Sequence, residues 1–285
     1  MKQKNLYKPL FAACLLLAVI AAILSAVAVI TDYDTHENYF SKNAPLYLAA
    51  CITAVVSLAV GIAAVCVTPR NELRDSPFCE RNISSPAALG FLITLFAISI
   101  QENLEQSSLF LIPFITAALI LATAYSVLSS LPKLVKERPN LVAGIGLTTV
   151  LACLFLNIYL YFDLTIEMNA PLKLFIQIGL LSAMIYYTTE LRYLLKIPMP
   201  RVFLLVSVAA VSLGSLCIFA LPVAFLTDKL PRFDYLACAL LVLTILISIV
   251  VRAVTLIAPK KVDMQPTCEA ESSPSEPQSD SNNEL

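Results

Sequence analysis

The chain has 285 residues, of which 59 % are hydrophobic and 14 % charged, and its formal net charge is −1. With a mean hydropathy of +0.81 it has too little polar surface for a soluble globule, so composition predicts a polytopic membrane protein. The near-zero net charge hides a sorting of acids and bases along the chain, and that sorting carries the topology.

The N-terminal MKQKNLYK brings three lysines before an apolar run over residues 11–30. Ala26 and Ala28 make a small-x-small pattern that would suit a signal peptidase, but the run of about 20 residues is long enough to cross a ~30 Å hydrocarbon layer, whereas a signal core has roughly 7–15. It is read as an uncleaved first span. Further runs follow at 46–67, 87–100, 109–131, 141–161, 172–189, 202–226 and 235–258, which makes eight. None alternates like a lipid-facing barrel strand, and a segment in lipid must satisfy its backbone internally, so all are predicted helices. The expected fold class is an all-α integral membrane protein with eight transmembrane helices.

Fifteen of the nineteen basic residues fall on one side of these spans, which the positive-inside rule assigns to the cytoplasm together with both termini. The other side carries nine acids: Asp32, Asp34, Glu37, Glu102, Glu105, Asp163, Glu167, Asp228 and Asp234. Tryptophan is absent, and most of the eleven tyrosines lie near run ends, where they are expected to form the interfacial belt. Residues 262–285, acidic and rich in Ser and Pro, are expected to be a disordered cytoplasmic tail.

Asn43-Ala44-Pro45-Leu46 opens the second span and Asn169-Ala170-Pro171-Leu172 the sixth, each after a loop with an aromatic–Asp pair. The equivalent positions suggest two parallel four-helix repeats, 1–131 and 132–261; the other reading is helix-start chemistry used twice. Small residues mark contact faces. Ala50, Ala54, Ser57, Gly61 and Ala64 form one stripe, Ser207, Ala210, Gly214 and Cys217 another, and Ala18, Ala22 and Ala26 a weaker one that predicts a tight hairpin of the first two spans.

The stretch 162–195 holds most of the unusual polar residues. Glu102, Glu105, Asp163, Glu167 and Asn169 gather at the expected outer end, either as an acidic vestibule that concentrates cations or amines or as a solvated rim. Asn157 and Gln177 sit at matching depth in the fifth and sixth spans, so a hydrogen bond between them is expected. Glu190 is a candidate proton site that reads first as an interfacial ion pair with the nearby Arg192 and Lys196. His36 is the only histidine and no CxxC occurs, so no metal or cofactor is expected; six of the eight cysteines lie in apolar runs and read as core filler. Gly214-Ser215 lacks a core histidine as base, and Gly144-Ile145-Gly146 lacks any phosphate-loop context, so no enzyme is expected. Basic residues flank spans instead of clustering with aromatics, and nucleic acid is not expected as a partner. Two classes stand: a transport-type or transport-accessory protein of the cell membrane, and a structural protein that assembles lipids or partner membrane subunits. Only six glycines and few mid-span prolines give little sign of broken helices. The ligand is not legible.

Overall fold

The structure, a computed structural model, describes residues 6–35, 38–41, 44–69, 73, 77–78, 86–105, 110–164 and 166–257, with the backbone alone for 102–105. Lys2, Lys4, His36, Glu37, Asn43, Arg74, Cys79, Cys268 and the tail 262–285, all used in the sequence reading, lie outside the described residues.

In chain order the helices are α1 (Tyr7–Asp32), α2 (Pro45–Val67), α3 (Ala87–Glu105), α4 (Ile112–Leu128), the short α5 (Pro132–Glu137), α6 (Pro139–Phe162), α7 (Pro171–Leu194), α8 (Pro200–Leu226) and α9 (Phe233–Ile257). A two-residue antiparallel pair, β1 (Tyr33–Asp34) with β2 (Tyr39–Phe40), ties the end of α1 to the approach of α2. Prolines set many of the starts. Pro45, Pro132, Pro139, Pro171 and Pro200 each occupy a first helical position, where the ring supplies a helical φ and the missing N–H is one that no helix bond uses. Helix α3 continues past Ile100 through the polar QENLE segment, while α5 and the strand pair are additional to the expected elements.

Six helices, α1, α2, α6, α7, α8 and α9, are long and apolar enough to cross a membrane, and α3 and α4 are shorter apolar helices. Their outward faces are apolar as well: Leu16, Leu48, Val55, Phe96, Leu147 and Ile185 are all exposed. A surface of this kind is an aggregation hazard in water and is at home in lipid. The fold is that of an all-α multi-pass membrane protein.

Helix α8 is the hub. It packs on α1, α2, α7 and α9, and 67 % of its most apolar stretch is buried against 33 % for α2. Helices α3, α4, α6, α7 and α9 form a ring in which each touches the next and α9 returns to α3. The α1–α2 hairpin joins this ring through α8. The helices opened by Pro45 and Pro171 therefore have different main neighbours, α1 and α8 for the first, α6, α8 and α9 for the second, a pattern that lends no support to two equivalent halves.

Lipid tails are as apolar as leucine, so helices adhere in a bilayer through close approach and hydrogen bonds. The five-residue stripe of α2 is buried throughout, as are Ser207, Ala210, Gly214 and Cys217 of α8 and Ala18, Ala22 and Ala26 of α1. The expected α1–α2 hairpin is the most extensive helix pair. Where it meets α8, Ser57 Oγ donates to the Cys14 carbonyl at 2.9 Å and lies 2.9 Å from Ser212 Oγ. Ser25 Oγ reaches the Leu216 carbonyl at 3.0 Å. A Cβ at Gly61 would overlap a Val208 methyl, so a larger residue forces Val208 or the α2–α8 crossing to shift.

Gly61→Ala should therefore destabilise by about 1–3 kcal/mol, the range for overpacking. Gly144→Ala, whose methyl would meet nothing within 4 Å, should be neutral or stabilise by up to about 1 kcal/mol through helix propensity. Thermal unfolding of the two variants in one detergent measures the contrast.

Candidate functional site

A charge inside a bundle in lipid is costly unless a counter-charge is brought to it, so ionisable side chains that fold inward mark places to look for function. Two such groups lie at opposite ends of α7 and α9.

At one end Glu190, one turn from the end of α7, is 1 % exposed. Its partner is Arg252 of α9, whose Nη1 contacts Glu190 Oε1 in a buried ion pair. This corrects the expected interfacial pairing with Arg192 and Lys196. Position 192 is rotated by about 200° from position 190 on a helix, and the Arg192 guanidinium instead reaches Met199 Sδ at 3.3 Å. Lys196 lies beyond the helix end at φ 60°. Arg252 also donates from Nη2 to Ser129 Oγ, just past α4, at 2.9 Å, and its guanidinium sits 4.7 Å from the centroid of the Phe78 ring. The phenols of Tyr125 and Tyr186 lie beside the carboxylate, and neither reaches hydrogen-bond geometry among the described residues. Tyr187 meets both edge-on, with centroids 6.2 and 5.5 Å away. Helices α4, α7 and α9 thus converge on one ion pair ringed by hydroxyls. Protonating Glu190, or presenting another anion to Arg252, would release the partner.

At the other end Asp234 is 0 % exposed. Arg232 clasps it at two points, Nε to Oδ1 at 3.1 Å and Nη2 to Oδ2 at 2.8 Å. Tyr159 of α6 donates to Asp234 Oδ2 at 3.0 Å, and Tyr235 donates to Asp163 Oδ2 at 2.8 Å, an oxygen 3.5 Å from Arg232 Nη2. Lys173, in the first turn of α7 and 1 % exposed, donates to the carbonyls of Asp163 and Ile166 at 2.6 and 3.2 Å. Two carboxylates and two cations leave the group neutral. Three residues before Arg232, Lys229 donates at 2.7 and 3.0 Å to the carbonyls of Val29 and Ile30, acceptors that the end of α1 leaves unpaired at its negative dipole end, and at 3.1 Å to that of Tyr33 in β1. Burial pushes the Tyr33 phenol up to about 12, so it stays neutral at physiological pH.

The members of the expected outer cluster are placed as follows among the described residues. Asp163 belongs to the neutral group, where Arg232 matches its charge, and so adds nothing to an unbalanced acidic vestibule. Glu167 and Asn169 are exposed in the α6–α7 connection. Glu102 and Glu105 fall on the last turn of α3, with side chains outside the described residues. Asn157 and Gln177 border one surface groove with Tyr161 and Phe162, at matching depth, yet no hydrogen bond joins them among the described residues. Asn157 Nδ2 donates back to the Cys153 carbonyl at 3.0 Å, and an amide satisfied on its own helix needs no partner across the hairpin.

The tyrosines also depart from expectation. They sit near helix ends, but Tyr7, Tyr33, Tyr125, Tyr159, Tyr186, Tyr187, Tyr193 and Tyr235 are buried in the protein and Tyr161 alone is exposed among the described ones. Tyr159 and Tyr235 bond to the carboxylates of Asp234 and Asp163, while the hydroxyls of Tyr125, Tyr186 and Tyr193 have no hydrogen-bond partner among the described residues. Sequence reasoning missed the Glu190–Arg252 pair, the Arg232–Asp234 clasp and the buried Lys173. The signal present was position: Arg252 interrupts the run 235–258 six residues before its end. The chain matches no protein-family model, no curated protein and no solved structure.

Glu190→Gln or Arg252→Gln should each destabilise by about 3–5 kcal/mol, because each leaves one buried charge unpaired, and the double variant should recover most of that loss. Unfolding free energies around this double-mutant cycle provide the check.

Proposed function

We propose that the chain crosses the cell membrane eight times with both termini in the cytoplasm, and that it is a transport-type protein or an accessory to transport. The observation that carries this reading is the pair of buried charge groups at opposite ends of one helix seam. Lys173 and Glu190 are seventeen residues apart on α7, about 26 Å at 1.5 Å per residue. Such groups orient helices but add little net stability over apolar side chains of similar volume. Charge pairs at both ends give closures that protonation or a ligand's own charge can open. Crossing by α3 and α4 is supported by their packing along α9 and α6, ring members that are themselves long enough to span.

A second reading, a structural protein that assembles lipids or partner subunits, is favoured by the large apolar side chains beyond or at helix ends: Phe110, Leu164 and Leu226 are 82 %, 85 % and 78 % exposed. These are groups a neighbouring membrane protein would cover.

Reconstituted vesicles exposed to pooled labelled cations, amines and organic anions distinguish the two. Uptake above protein-free vesicles for at least one pool, lowered at least about tenfold in the folded Glu190→Gln/Arg252→Gln variant, is the expected result. Absence of uptake across the panel, with a stoichiometric partner retained on native mass spectrometry, would establish the second reading instead. The orientation has its own test: a membrane-impermeant thiol reagent should leave Cys79 and Cys268 unlabelled in intact cells and label them after permeabilisation.

A further inference from the structure

Two side chains in the α6–α7 hairpin, Asn157 and Gln177, keep unused hydrogen-bonding atoms that reach the surface. The bond to the Cys153 carbonyl occupies one N–H of the Asn157 amide. A carboxamide has two donors and an acceptor oxygen, so Oδ1 and the second N–H remain. Gln177 forms no hydrogen bond among the described residues. None of these free atoms is sealed inside the protein. Both residues line the groove between α6 and α7, together with Ile158, Tyr161, Phe162 and Leu181. Tyr161 is 50 % and Leu181 42 % exposed, so the groove opens away from the bundle.

Depth makes the two amides costly. Helices α6 and α7 have 24 residues each, about 36 Å at 1.5 Å per residue, so each end projects only ~3 Å beyond a ~30 Å hydrocarbon core. Asn157 is five residues from the end of α6 and Gln177 six from the start of α7, which puts both about 5 Å inside that core. The Asn157 amide is bonded to a carbonyl one turn deeper and is thereby held away from the headgroups. Acyl chains carry no donor or acceptor to meet it. The missing partner is a polar group of another protein, at the same depth.

One partner carries such groups by construction. Copies of a chain insert with the same orientation, because the same basic flanks direct each of them. A two-fold axis relating two copies therefore runs along the membrane normal and leaves every residue at its own depth. Asn157 and Gln177 are level, and each amide both donates and accepts. A groove turned towards its own copy sets Asn157 of each chain against Gln177 of the other.

We infer that the chain forms a two-fold dimer through the α6–α7 groove, held by reciprocal Asn157–Gln177 hydrogen bonds between the copies. This assignment is independent of whether the protein transports anything.

The test uses the full chain, labelled in separate batches with a donor or an acceptor dye at the C-terminus and reconstituted together in phosphatidylcholine vesicles over a range of protein-to-lipid ratios. Energy transfer should rise with density to the plateau of a two-copy assembly. Gln177→Leu should weaken association about tenfold, the loss of two bonds of the size such pairs have in membranes. Asn157→Leu should weaken it by the same factor, and so should the two together, because either residue takes part in both bonds. The exchange Asn157→Gln/Gln177→Asn should restore most of the affinity. A benzophenone side chain in place of Leu181 should cross-link to α6 or α7 peptides of a second copy, whereas one in place of the exposed Phe96 on α3 should not. That arm keeps both amides and decides even where an amide variant fails to fold. A monomer at every density would overturn the site, as would a dimer indifferent to Gln177→Leu or cross-linked through other helices. A different membrane protein captured at position 181 in native membranes, with the pure chain monomeric, would also overturn it and give the groove to that partner.

Discussion

A guanidinium five residues from the end of a hydrophobic helix has to be met by an anion, and the Glu190 carboxylate is the group that meets Arg252. That contact sets more than its own geometry. It fixes the rotation of α7 and α9 about their axes, and the bond from Arg252 to Ser129 brings the end of α4 to the same point. With Asp163, Arg232 and Asp234 doing equivalent work at the far end, α7 and α9 are pinned at both extremities. The apolar middle can then pack by shape alone. The ring of α3, α4, α6, α7 and α9 closes at this seam, where α7 meets α9 between the two charge groups.

Hydropathy reads the coordinate along the membrane normal well and the rotation about each helix axis poorly. Depth was legible: the helix ends fall within a few residues of the apolar runs, Pro171 begins its helix, and Asn157 and Gln177 are level in one groove. Rotation was legible only where residue size encodes it, as in the small-residue faces of α1, α2 and α8. For other side chains the lipid face and the protein face are equally apolar, so composition carries no preference between them. Glu190 shows the consequence. Its nearest cations in sequence lie on the wrong side of the helix or past its end, and its actual partner is sixty-two residues away on α9. Asn157 and the tyrosines fail for the same reason, since neither the i−4 carbonyl that Asn157 uses nor the inward turn of the rings follows from depth.

The few cations on the less basic side are employed in the structure. Of Lys42, Lys173, Lys229 and Arg232, the first lies outside the described residues, and the other three are held by helix-end carbonyls or buried carboxylates. A positive charge that runs against the topological rule has, in each described case, a fixed partner. The acidic character of that side is correspondingly lower than a count of carboxylates implies, because Asp163 and Asp234 are already neutralised by Arg232 and Lys173.

The three-helix junction built on Ser57, Cys14 and Ser212 bears on how the protein is made. Ser57 and Ser212 are 155 positions apart, and at about 5–20 residues per second a ribosome needs roughly 8–30 s to go from one to the other. Throughout that interval the α1–α2 hairpin is in the bilayer with its serine face lacking α8, and the end of α1 lacks Lys229. Biogenesis therefore includes a waiting period in which the first hairpin presents hydroxyls and a small-residue groove to whatever helices are near. Insertion machinery that shelters the hairpin until α8 arrives would protect it from foreign partners while this face is uncovered.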